Sequence, residues 1–166
     1  MRRNGRMLTR AGLMAALCFI VTWLVQIPVP PGYVNFGDSV VLLSGWLLGP
    51  LWGAGAAAVG SVLVDMLGPY IIYAPATFVI RFSMALLVGI LYRRTRGKPG
   101  ALMRLLPGAV LAELLMVLGY LVYEALFIGL GAAAFANIPF NVIQGMFGIA
   151  GAVGVAMLMG RSGTLK

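Results

Sequence analysis

Long apolar runs, interrupted by prolines, glycines or bursts of arginine, divide the chain into six segments of helical length. The first, Ala11 to Ile27, follows a stretch carrying Arg2, Arg3, Arg6 and Arg10. It stops at Pro28-Val29-Pro30-Pro31-Gly32, where the prolines end a helix and begin an extended loop. This charged-then-apolar opening has the outline of a signal peptide, but no small-residue cleavage site follows, so the helix is expected to be retained. The second run, Ser39 to Leu48, is too short for a simple span, because crossing a hydrocarbon core of about 30 Å takes about 20 residues. It must recruit Val34 to Asp38, tilt little or lie in thinned bilayer. Gly49-Pro50 turns the chain into a third helix, Leu51 to Leu67. A fourth runs from Ala74 to Tyr92, with Pro75 in its first turn, where a missing N–H costs little. The fifth extends from Ala101 or Leu105 to Ile128, and the sixth from Pro139 to Gly160.

Composition fixes what these helices are for. The 166 residues are 61% hydrophobic and 10% charged, and the mean hydropathy is +1.01. That profile predicts an all-α integral membrane protein, a compact bundle of six transmembrane helices forming one domain over residues 1–166. A net charge of +8 would suit nucleic acid, but the basic residues sit in clusters beside apolar runs: residues 1–10, 93–104 and 161–166. They read as topological anchors, so the expected partner is the lipid bilayer and not nucleic acid. With six spans and a cytoplasmic N-terminus, all three clusters, the C-terminal tail included, fall on the cytoplasmic side. The loops at 28–37, 68–75 and 129–138, which contain no Lys or Arg, then lie outside.

The chain has no histidine and a single cysteine, Cys18. This excludes an internal disulfide, a Cys/His zinc site, a Cys-His dyad and a Ser-His-Asp triad. No phosphate-binding G-x-x-x-x-G-K-[ST] loop occurs, so the chain is not expected to be an enzyme, to use a cofactor or metal, or to hydrolyse ATP itself. The remaining polar residues gather toward the outer ends of the helices. Asp65 closes a stripe of small residues, Gly49, Gly53, Ala57 and Ser61, at intervals of four on the third helix. Glu113, Tyr120 and Glu124 fall within roughly 20° of one direction on the fifth and rise about 16 Å along it. The inner halves are almost purely apolar, which favours a cup open to the outside over a continuous pore.

Asn35, Asp38, Asp65, Tyr73, Arg81, Tyr120, Glu124, Asn141 and Gln144 are the candidate binding residues of that cup. Tyrosines would stack on a flat ring, and the amides and charges would fix its edges. Four carboxylates face one buried arginine, whose partner would be Asp65 or Glu124, and the acid surplus suits a cationic or hydrogen-bond-donating ligand.

The motifs Tyr33-Val34-Asn35-Phe36-Gly37-Asp38, Leu48-Gly49-Pro50-Leu51-Trp52-Gly53, Tyr73-Ala74-Pro75-Ala76-Thr77 and Ile138-Pro139-Phe140-Asn141-Val142-Ile143-Gln144 follow one another in this order. Together with six short helices they resemble a substrate-binding S component of an energy-coupling factor (ECF) transporter, closest to the riboflavin and hydroxymethylpyrimidine branch. The resemblance covers nearly the whole chain. It implies a receptor in the cell membrane of a bacterium or archaeon that captures a vitamin or precursor at the outer face. Such a receptor docks on a transmembrane coupling subunit and two cytoplasmic ATPases, then reorients bodily. It also implies docking through an Ala-x-x-x-Ala pattern on the first helix, matched by Ala11 and Ala15, beside a second small pair, Gly12 and Ala16.

The acid surplus favours an amino-substituted ring such as hydroxymethylpyrimidine, with riboflavin as the alternative. Trp23, Trp46 and Trp52 lie away from the outer loops, which counts against thiamine. A rival from another class is an ion-coupled secondary transporter with Asp65 or Glu113 carrying the ion, but the two halves show no convincing inverted repeat.

Overall fold

The computed structural model describes residues 2–30, 32–95 and 105–161. Six α-helices account for most of them: α1 (Arg2–Leu24), α2 (Gly37–Leu48), α3 (Pro50–Leu67), α4 (Ala74–Thr95), α5 (Leu105–Val122) and α6 (Ile138–Arg161). Five helical stretches are long and apolar enough to cross a membrane, and α2, with 12 residues, is the short one. The expected all-α bundle is therefore present. Arg93 and Arg94 lie in the last turn of α4, whereas Arg96, Lys98, Arg104 and Lys166 lie outside the described residues.

The boundaries differ from expectation where prolines and arginines act. The first helix begins at Arg2, so the basic stretch extends it, and ends at Leu24, three residues early. Gln26–Val29 (β1) and Gly32–Asn35 (β2) then form an antiparallel hairpin, with Gln26 opposite Asn35 and Pro28 opposite Tyr33. An isolated ribbon uses only one edge of each strand for pairing, which leaves room for Pro28. Val34 and Asn35 consequently belong to a strand, and the second helix recruits only Gly37 and Asp38. A 3₁₀ turn, Ile71–Tyr73, leads into α4. Beyond Val122 the fifth helix widens into a π turn over Tyr123–Phe127, and a 3₁₀ segment, Gly131–Asn137, leads into α6.

The short helix lies at the centre. Residues Val40 to Trp46 of α2 are all buried, packed among α1, α3, α4 and α6. A helix apolar on every side needs neighbours on every side, and α2 needs no membrane-spanning length because the longer helices enclose it. On the α3 stripe, a Cβ on Gly53 would collide with the Ser44 carbonyl of α2; beside the stripe, one on Gly60 would collide with the Ala15 carbonyl and lie 2.7 Å from the Cys18 Cβ, so α1 rests directly on the α3 backbone. Gly55, on another face, would meet nothing.

Gly60→Val should therefore lower the thermal midpoint in detergent, by the equivalent of about 1 to 3 kcal/mol of overpacking. Gly55→Ala should leave it unchanged. Equal melting of the two variants would show that α1 is not seated as described.

Candidate functional site

Three loops and the ends of five helices enclose one polar pocket, with about 550 Å³ of empty space including its mouth. That volume suits a small-molecule ligand. The hairpin contributes Val29, Gly32, Tyr33 and Asn35; α1 gives Thr22; α3 gives Ser61 and Asp65. Tyr73, Thr77 and Arg81 come from the start of α4 and the turn before it, and Tyr120 and Glu124 from the end of α5 and the π turn. Asn137, Phe140, Asn141 and Gln144 complete the wall at the start of α6. Eight of the nine residues expected from the sequence line this space: Asn35, Asp65, Tyr73, Arg81, Tyr120, Glu124, Asn141 and Gln144.

Asp38 departs from the expectation. It is fully buried behind the wall, where it forms an ion pair with Arg81 and accepts a hydrogen bond from Gln144 Nε2 at 2.8 Å. Its place at the start of α2, which is enclosed by other helices, keeps it from the cavity. Arg81 is therefore paired with Asp38, and not with Asp65 or Glu124. The guanidinium also lies over the Tyr120 ring, 5.8 Å from its centroid, within cation–π reach. Gln144 Oε1 accepts from the Asn35 backbone N–H at 2.9 Å and from its Nδ2 at 3.3 Å, while Asn35 Oδ1 receives the Gly37 N–H at 2.8 Å. One network thus runs from Arg81 through Asp38 and Gln144 to the hairpin.

The two pocket carboxylates are held differently. Glu124 is presented by the π turn, and both oxygens are used: Oε1 accepts from the Tyr73 hydroxyl at 3.3 Å and Oε2 from Asn137 Nδ2 at 2.7 Å. Asp65 Oδ1 accepts from the Tyr33 hydroxyl at 2.7 Å, but Oδ2 is buried with no hydrogen-bond partner. Thr77 also lies beside the Asp65 carboxyl, and its hydroxyl shares a hydrogen bond with that of Tyr120 at 3.1 Å. Burial, reinforced by the Asp65 carboxyl, pushes the Tyr33 phenol well above its ordinary value, so it stays a donor.

Glu113 leaves the seam expected on the fifth helix. It is buried outside the pocket, with its carboxyl against Gly145 and Gly148 of α6 and no partner for either oxygen. Thr22, Val29, Ser61, Thr77 and Phe140 are pocket residues that the sequence does not single out. Small hydroxyls and apolar side chains carry no distinguishing pattern in such a chain, and only the hairpin fold brings Val29 over the cavity.

The pair expected to dock packs largely inward. Ala11 is buried in the bundle, and the Ala15 backbone packs on Gly60. The small pair that faces outward is Gly12 and Ala16, both exposed, beside exposed Leu13, Leu17 and Ile20.

Arg81→Ala should destabilise the protein by about 3 to 5 kcal/mol, because it leaves Asp38 buried without its partner. The double variant Arg81→Met/Asp38→Asn should recover most of that loss. Denaturation in detergent checks both, and a fully stable single variant would show that the pair is dispensable.

A family model described as ECF-type riboflavin transporter, S component, matches residues 4–160. A relative from Pyrococcus woesei, an uncharacterized protein in the gap 3′ region, is 38% identical over 132 residues, which is 78% of this chain and 85% of the relative. The fold is shared with a solved structure described as "Structure and mechanism of the S component of a bacterial ECF transporter". The TM-score is 0.73 at 22% identity, over 95% of this chain and 97% of that one. A match across nearly the whole length therefore places the chain in the family of ECF-type riboflavin transporter S components, the substrate-specific membrane components of these transporters.

Proposed function

We propose that this multi-pass membrane protein is the receptor of an ATP-driven importer in the cell membrane, and that its polar pocket captures a small heterocyclic vitamin or precursor such as hydroxymethylpyrimidine. The observation that carries this reading is the pocket itself. In a chain this apolar, eight of the polar and aromatic residues that stand out in the sequence converge on one cavity of ligand size.

The direction of capture follows from charge. The pocket is built where the Lys- and Arg-free loops meet, while Arg6, Arg10, Arg93 and Arg94 belong to the opposite ends of α1 and α4. The positive-inside rule then supports a pocket that opens outside and termini that lie in the cytoplasm. S components work with a coupling subunit and ATPases and bind a vitamin. For this chain we assign the coupling contact to the outward strip of α1, Gly12 and Ala16, in place of Ala11 and Ala15. Small residues at this spacing allow close backbone approach in lipid, where no hydrophobic force drives helices together. The transmembrane coupling subunit would sit there, with two ATPase subunits below it.

A second reading, riboflavin as the substrate, is favoured by the description of the matching family. Mass spectrometry of small molecules released from the purified chain, followed by titration calorimetry, decides between the two. Hydroxymethylpyrimidine or a similar small ring is the expected result. A flavin would select the second reading, and an empty protein that binds neither would overturn both. Ala16→Trp should abolish uptake in cells while leaving ligand binding intact; normal uptake would remove the docking assignment.

A further inference from the structure

We infer that the pocket selects a flat aromatic ligand carrying a positive charge or a strongly polarised amino group, and that Asp65 is the residue that reads it. This inference deepens the reading of the pocket as a substrate site, and it begins from charge. Three acidic or basic side chains line the cavity: Asp65, Arg81 and Glu124. Arg81 is already paired with Asp38, so Asp65 and Glu124 are the wall carboxyls left without a cationic partner.

The two acids are not equivalent. Glu124 has a donor on each oxygen, Tyr73 and Asn137, and is a positioned wall element. Asp65 is 1% exposed, has one oxygen fixed by Tyr33 and keeps the other, Oδ2, without a donor. A buried acceptor without a donor is costly, and a ligand N–H placed against it removes that cost. A neutral ring that offers only a hydroxyl or a lactam or imide N–H would offset that cost less than a charged or strongly polarised amino group. Tyr33, Tyr73 and Tyr120 line the same space, and aromatic rings attract cationic or electron-poor rings. A ligand amino group on Oδ2, with its ring among the tyrosines, satisfies both features at once.

The test uses matched probes on the full chain in detergent. Pyridoxamine is compared with pyridoxine, and 4-amino-5-hydroxymethyl-2-methylpyrimidine with its 4-oxo analogue, while riboflavin serves as the neutral large ring. Each amino member should bind at least tenfold more tightly than its oxygen counterpart. Asp65→Asn should abolish that preference. Tyr33→Phe, which keeps the carboxylate, should retain it and guards against misreading a misfolded Asp65 variant. Equal or tighter binding of the oxygen members or of riboflavin would overturn the inference while leaving the pocket as a substrate site. If no probe binds and no small molecule is released from the purified protein, the pocket reading fails and this inference with it.

Discussion

The ion pair between Arg81 and Asp38 is the constraint around which the candidate site is arranged. Both side chains are almost fully buried in a bundle whose apolar core is mostly Val, Leu, Met and Ala. A buried pair offers little net stability over apolar residues of the same volume, but separating its members leaves two uncompensated charges. The pair therefore fixes the start of α2 against α4. Through Gln144 it also fixes α6 and the β1–β2 hairpin, because the same amide that donates to Asp38 accepts both N–H groups of Asn35. Three helices and the roof of the pocket are tied to one guanidinium.

Around that anchor, the distribution of side-chain size explains why the site is at one end. Below Arg81 the interior closes with Met84, Leu42, Val41 and Met116, all fully buried. Small residues there let α1 and α3 touch along their backbones. Toward the hairpin end, Tyr, Asn and carboxylate side chains replace alanine and glycine, and the helices no longer meet closely enough to fill the space. The cavity is the place where close packing gives way to polar groups that need partners.

Much of this is legible in the sequence, since hydropathy and breakers locate the helices, and α3 begins one residue from its expected start. Polar residues within the apolar segments are so scarce that eight of the nine candidates picked from the sequence converge on the site. Proximity along a helix is less informative than the neighbouring helix. Asp38 belongs to the cup by its sequence position but lies behind it, and Glu113 shares the direction of Tyr120 and Glu124 yet faces Gly145 and Gly148. An ideal 100° step also fails near Glu124, because the π turn changes the spacing there. The hairpin is hidden for a different reason: two four-residue strands rich in proline and glycine have no periodicity to detect, and only pairing with each other defines them.

The closed floor bears on how a bound solute could reach the other side. An ion-coupled carrier of the alternating-access kind rocks two halves about a site near the bilayer midplane. Here such rocking would move α4 against α2 or α6 and pull Arg81 from Asp38, or Asp38 from Gln144, and so separate buried partners. Glu113, a candidate for the coupling ion, is not on the pocket wall, so an ion bound there would not share the substrate's cavity. The arrangement instead favours moving the bundle as one body. Movement of that kind exposes no buried charge to a new neighbour, but it turns polar loops through lipid, and it needs work from outside the chain. The solidity of the floor fits the proposal of a receptor energised by partner ATPases.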